Sequence, residues 1–156
     1  MSAPNGASTT GHIPVMLSEV LAALSPRDGA IYVDGTFGGG GYSRALLEEV
    51  DCTVWGIDRD TEALAQASGL VKRFAGRLHL VSGRFGSMDE LIGSHGVDVV
   101  DGIALDVGVS SMQLDTPQRG FSFRLDGPLD MRMSNAGPSA ADVVNDEPEH
   151  PLAEII

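Results

Sequence analysis

Two aspartates and a run of glycines carry most of the chemical information in this sequence. Asp34 ends a short apolar segment and opens DGTFGGGG, in which Gly38, Gly39, Gly40 and Gly41 are consecutive. Asp58 ends the next apolar segment, twenty residues after Gly38. Glycine lacks Cβ, so such a run lets the backbone turn sharply and lie against a ligand, and the helix that follows presents free N–H groups. A carboxylate at the end of the neighbouring strand accepts hydrogen bonds from both hydroxyls of a ribose. Together these features point to an adenosine-containing cofactor. Asp34 separates the candidates. An acid ahead of the loop repels a dinucleotide pyrophosphate, and a clean G-x-G-x-x-G is absent. The same acid suits the ammonium of S-adenosylmethionine (SAM). Phe85, after a third apolar segment, offers a ring on which adenine could stack. SAM is therefore expected, with a nicotinamide-dependent oxidoreductase as the alternative. Each residue alone has a plainer explanation: strand-end acids cap helices, glycines allow turns, and a lone phenylalanine is usually core. Their joint occurrence favours the cofactor.

These residues need a scaffold that gathers them. Residues 30–34, 53–58 and 77–82 read as short buried strands, and residues 97–106 hold a fourth, ending at Asp106. Amphipathic helices are expected near 13–24, 42–50, 60–74 and 87–96, with Asp60 as an N-cap. Strand–helix alternation predicts an open, mostly parallel α/β sheet of Rossmann-like type. Ligands of such sheets sit beyond the carboxyl ends of the strands. Asp34, Asp58, Phe85 and Asp106 would then share one rim. Residues 12–106 are expected to form this core and residues 1–11 a disordered leader. Residues 107–137 have little periodicity and many turn formers, as a functional loop does. Helical pattern resumes in residues 138–156. The helical pattern is unfinished at the last residue and only four strands precede it, so the N-terminal part of a longer protein is expected.

The bulk numbers restrict the partners. The 156 residues suffice for one domain with a core. No apolar run approaches a membrane span, and the polar start lacks the pattern of a signal peptide. One cysteine, Cys52, excludes an internal disulfide, and a cytoplasmic protein is expected. The four histidines show no metal-ligand spacing, so no metal is expected. The net charge of −12 opposes non-specific nucleic-acid binding. It is unevenly spread, however. Between residues 107 and 137, Asp115, Asp126 and Asp130 are balanced by Arg119, Arg124 and Arg132.

The stretches DGTFGGGGYS, GIDRD, ALDVGVSSMQLD and RGFSFRLDGPLDMRM give the chain a resemblance to a known family. It resembles the MraW/RsmH-type bacterial methyltransferases, from HIPVMLSEVL to its last residue. The resemblance implies SAM-dependent methylation of the exocyclic N4 of a cytidine in 16S ribosomal RNA, within the small subunit. It implies a seven-stranded methyltransferase fold interrupted after the fourth strand by a helical recognition domain, whose start would be residues 138–156. It carries cofactor contacts onto Gly40, Gly41, Tyr42, Asp58, Phe85, Asp106 and Gln113. Asp34 and Gly38 join them from the reading above. Tyr42 stands where the family commonly has histidine, and Met112 where it commonly has proline.

Methylating that amine has stated requirements. The N4 lone pair is delocalised into the ring, so the enzyme must position it and supply acceptors for its N–H groups. Asp106 with Ser110 or Ser111 could provide them; equally, Asp106 could bind only the cofactor, and the serines could serve the turn. Arg119, Arg124 and Arg132 could meet RNA phosphates, with Phe121 and Phe123 for stacking. Alternatively, residues 118–133 pack over the cofactor as a lid. The 156-residue piece alone is expected to be inactive, and a non-catalytic cofactor-binding fragment is the remaining alternative.

Overall fold

A computed structural model describes residues 14–134 and 136–155. The expected leader and His12 lie outside the described residues. Four parallel strands form one sheet in the order β3-β2-β1-β4. They are β1 Ile31–Asp34, β2 Thr53–Asp58, β3 Leu78–Ser82 and β4 Gly102–Ala104. In register, Asp34 lies beside Gly56 and Ala104, and Asp58 lies beside Ser82. The strand ends thus form one rim, as the alternation predicts.

Side chains on a strand alternate between faces. Tyr32, Val54 and Leu78 therefore enter one core with Phe37, Leu46, Leu47 and Phe74. Val33, Trp55 and Ile57 enter a second core on the opposite face, with Ile92. Helices α1 Leu17–Leu24, α2 Gly41–Glu49, α3 Thr61–Gln66 and α4 Ser68–Arg73 contribute apolar side chains to the first core. Helix α5 Met88–Gly93 contributes to the second. The ring of His79 stacks on that of Trp55 at 4.5 Å, which accounts for one of the unclustered histidines.

Three details differ from the sequence reading. The helix expected over residues 60–74 is broken at Ala67, whose N–H turns back to the carbonyl of Leu64. Ser68 and Gly69, poor helix formers, follow the break. Asp60 does cap α3, accepting from the Glu62 N–H. Second, β4 stops at Ala104 rather than Asp106. The Gly35 N–H takes the Ala104 carbonyl at 3.0 Å, and the Asp106 N–H leaves the ladder for Thr36 Oγ1 at 2.7 Å.

Third, residues 107–137 are folded on themselves. They contain α6 Ser111–Asp115 and a short 3-10 turn, Pro117–Arg119. The Met131 N–H then returns to the Arg119 carbonyl at 3.0 Å. Gly120, at φ 75°, passes so close to the returning backbone that a Cβ there would lie 2.4 Å from the Pro128 carbonyl oxygen. Helices α7 Ala140–Asp146 and α8 Glu149–Ile155 follow.

Candidate cofactor site at the strand ends

Asp34 is fully buried. Its Oδ2 accepts from Ser43 Oγ at 2.7 Å and from the Ser43 N–H at 3.3 Å, which ties the end of β1 to α2. Burial pushes its carboxyl up to about 6, against the lowering effects of the Ser43 hydroxyl and of the Thr36 and Ser43 backbone N–H groups. Among the described residues, two buried side-chain polar atoms have no hydrogen-bond partner: Asp34 Oδ1 and Arg59 Nε. They stand at the carboxyl ends of the adjacent strands β1 and β2. Orphaned buried polar atoms are rare and mark places where a further partner is wanted.

The glycine run divides into two parts. Gly38, at φ 49°, and Gly39 face space: a Cβ on Gly38 would meet only the Thr36 carbonyl at 3.8 Å, and one on Gly39 would meet nothing within 4 Å. Gly40 and Gly41 instead make room for the protein itself. A Cβ on Gly40 would lie 2.6 Å from Phe37 Cζ, and one on Gly41 would lie 2.2 Å from Pro14 Cγ. The Phe37 ring also lies over Gly56 of β2, where a Cβ would be 2.4 Å from it. Phe37 is buried in the first core, so the loop is pinned by its own phenylalanine.

Asp58 is half-buried and has two backbone partners. Its Oδ2 accepts from the Gly38 N–H at 2.6 Å, and its Oδ1 from the Asp60 N–H at 2.9 Å. Each carboxylate oxygen retains a second lone pair. Phe85 begins a short 3-10 turn after β3 and is 38% exposed. Its Cβ stands 3.1 Å from where a Gly35 Cβ would be, beside the start of the glycine loop. Of the remaining predicted residues, Tyr42 and Asp106 are neighbours, while Ser110, Ser111 and Gln113 belong to α6. Asp106 is exposed beyond β4. The Tyr42 hydroxyl donates to the Val15 carbonyl at 2.5 Å, and its side chain lines a cavity of about 250 Å³ with Leu24, Ile103 and Leu105. Burial, followed by the Asp106 charge, raises the Tyr42 phenol. Ser110 caps α6. Its Oγ accepts from the Gln113 N–H at 3.2 Å, while Gln113 Oε1 accepts from the Ser110 N–H at 3.0 Å. Gln113 is buried by this exchange. Ser111 opens the same helix and is half-buried.

The three arginines are not equivalent. Arg119 is largely buried, pairing with Asp60 at 2.8 Å and donating to the carbonyls of Arg132 and Met133. Arg132 is held by Asp130, its Nη2 lying 2.6 Å from Oδ2. Hydrogen bonding from Arg132 lowers the Asp130 carboxyl to about 2. Among the described residues, no hydrogen bond or ion pair engages the Arg124 guanidinium. The neighbouring Phe123 is fully exposed.

The sequence profile described as the MraW methylase family matches residues 9–156. The chain belongs to the MraW methylase family. It is 62% identical over 145 residues to the ribosomal RNA small subunit methyltransferase H of Paramagnetospirillum magneticum, covering 93% of this chain and 46% of that protein. It is 60% identical over 149 residues to the protein of the same name in Parvibaculum lavamentivorans, covering 96% of this chain and 44% of that protein. This MraW-family chain thus spans about half the length of these curated relatives. Among solved structures it is similar to the C-terminal domain of precorrin-6Y C5,15-methyltransferase from Rhodobacter capsulatus. The TM-score is 0.50 at 19% identity, over 65% of this chain and 54% of that one, a likeness of fold alone.

Sequence reasoning did not find Ser43, Phe37, Thr36 or the Arg119–Asp60 pair. Ser43 carried a weak signal, lying nine residues after Asp34 in the first turn of the following helix. The pairing of Arg119 with Asp60, 59 residues apart, left none.

Proposed function

We propose that this chain holds SAM at the carboxyl ends of β1 and β2, and that the protein containing it methylates the exocyclic N4 of a cytidine in 16S ribosomal RNA. The observation that carries the reading is the buried carboxylate of Asp34 at the end of β1, followed by a glycine loop whose Gly38 and Gly39 face open space and whose Gly38 N–H is held by Asp58. A buried carboxylate followed by unobstructed backbone fits a ligand that brings both a cation and bulk. The names of the curated relatives support an RNA substrate of the small subunit. Membership of a methylase family stands against the nicotinamide alternative.

When bound, SAM supplies an electrophilic methyl on a sulfonium leaving group. The chain's own residues do the rest. Asp34 is the acceptor for the ammonium. Asp58 offers its free lone pairs to the ribose hydroxyls, and Phe85 stands as a platform for adenine. Gly40, Gly41 and Tyr42 shape the loop that gives the cofactor room, and Gln113 fixes the start of α6 through its cap with Ser110. Asp106, exposed and held at its backbone by Thr36, is the acceptor for the N4 protons as the amine gains positive charge. Ser110 and Ser111 assist by starting α6 at the correct place. Outside the pocket, Arg124 and Phe123 form the contact with RNA phosphate and an unstacked base, and Arg132 adds to it when released from Asp130. Helices α7 and α8 are the start of the recognition domain. The cytoplasm, where ribosomal subunits are found, is the expected location.

The test is a calorimetric titration of the full-length gene product with SAM and, separately, with NADH, followed by transfer of labelled methyl to small-subunit RNA. SAM binding and label in cytidine are expected. Binding of NADH alone would contradict the proposal.

A further inference from the structure

Arg119 is joined to the glycine loop by an unbroken series of hydrogen bonds. Its Nη1 donates to Asp60 Oδ2 at 2.8 Å. The Asp60 backbone N–H donates to Asp58 Oδ1 at 2.9 Å, and Asp58 Oδ2 accepts from the Gly38 N–H at 2.6 Å. On its other side, Arg119 Nη2 donates to the carbonyls of Arg132 and Met133 at 3.1 and 3.3 Å. The guanidinium's planar fork suits this role, since it can serve a carboxylate and two carbonyls in fixed directions. The pair is secluded: the side chains of Arg119 and Asp60 are 16% and 7% exposed. Such a cation is poorly placed to meet an RNA phosphate.

Asp60 is the pivot. Its Oδ1 is committed to the Glu62 N–H as the cap of α3 and its Oδ2 to Arg119, so the orientation of its own N–H toward Asp58 is fixed from two directions. The carboxylate of Asp58 in turn bonds both this pivot and the glycine loop.

We infer that Arg119 is a positioning residue for the cofactor site. It holds Asp60, which aims Asp58, which holds the Gly38 amide, so the folded 117–133 loop and the glycine loop form one hydrogen-bonded unit. This rests on the assignment of the rim to SAM. It gives the arginine-bearing loop a task toward the cofactor in addition to any contact with RNA, and it assigns that task to Arg119 alone. The guanidinium groups of Arg124 and Arg132 take no part in the series.

The inference is tested by a double-mutant cycle in the full-length gene product, with Arg119→Gln, Asp58→Asn and both together. S-adenosylhomocysteine affinity is measured by calorimetry, and hydrogen exchange of the peptide containing Gly38 is followed without ligand. Arg119→Gln is expected to weaken affinity by about tenfold on the natural background and by less than about twofold on the Asp58→Asn background, because coupled residues are non-additive. Exchange at Gly38 should accelerate in both single variants and no further in the double. Equal loss on both backgrounds, or unchanged exchange in Arg119→Gln, would overturn it. If Arg119→Gln does not fold, Asp60→Asn takes its place: asparagine retains the helix cap and loses the charge. The same non-additivity with Asp58→Asn is then required. Failure of the wild type to bind S-adenosylhomocysteine would count against the SAM assignment, while the ligand-free exchange still decides the role of Arg119.

Discussion

The Gly38 N–H and the Asp58 Oδ2 are 2.6 Å apart, so the two motifs that suggest a cofactor are bonded to each other. In the sequence they are separate contributions, a loop and a ribose acceptor twenty residues on. In the fold, the acceptor also sets the shape of the loop. On the proposed SAM reading, a change at Asp58 acts twice, once on the ribose contact and once on the backbone of the loop.

The four consecutive glycines should respond differently to the same substitution. Gly39→Ala meets no atom within 4 Å, and its effect is expected on ligand affinity with the thermal midpoint nearly unchanged. Gly40→Ala places a Cβ 2.6 Å from Phe37 at a φ of 70°. It should destabilise the fold by about 2–4 kcal/mol through overpacking and left-handed strain. Thermal unfolding of both variants, with S-adenosylhomocysteine titrations, separates the two outcomes.

Asp34 links the site to pH. Its carboxyl is raised from 3.8 to about 6 in the folded protein, mainly by burial. The folded state thus holds the proton more tightly than the unfolded chain. The associated stability is present below about pH 4 and is lost as pH rises through about 6. Asp34→Asn removes the buried charge. It is expected to stabilise the ligand-free protein at pH 7.5 by on the order of 1–3 kcal/mol, with the gain vanishing below pH 4. It should also abolish SAM binding. Unfolding midpoints across that pH range test both statements, and a loss of stability at pH 7.5 would count against the argument.

The arginines of the loop should separate in RNA binding. Arg124→Ala removes a guanidinium with no partner among the described residues and should lower the slope of log affinity against log salt by about one. Arg132→Ala removes one already neutralised by Asp130, and its slope should change less. Filter binding at several salt concentrations distinguishes them; equal slopes would mean that the Asp130 pair opens on RNA.

Much of this arrangement is legible in the sequence because it depends on local pattern. The boundaries of β1 and β2, the cap at Asp60 and the gathering of Asp34 and Asp58 follow from alternation, turn chemistry and the rule for strand ends. The failures share a cause. The apparent looseness of residues 107–137 conceals a loop closed by Arg119, Gly120 and Met131 through contacts made after folding, which leave no periodic trace. Of the two roles the sequence left open for Ser110, the fold shows the structural one, the cap of α6. Gly40 and Gly56 are glycine for the sake of Phe37, a packing reason that composition does not express.

Asp106 and Ser110 provide the sharpest contrast within the site. Ser110→Ala should cost about 1 kcal/mol by removing the cap of α6. Asp106→Ala, at an exposed position, should leave stability nearly unchanged and reduce methyl transfer by on the order of a hundredfold. Unfolding curves and single-turnover rates on the full-length gene product are the measurements. Turnover by Asp106→Ala at the wild-type rate would remove that residue from the chemistry.

The central claim is the reaction itself, and nucleoside mass spectrometry of small-subunit ribosomal RNA from a deletion strain tests it most directly. One N4-methylated cytidine should disappear. The full-length gene should restore it, and the same gene carrying Asp106→Ala should not. An N4-methylcytidine content identical to that of the parent strain would contradict the account.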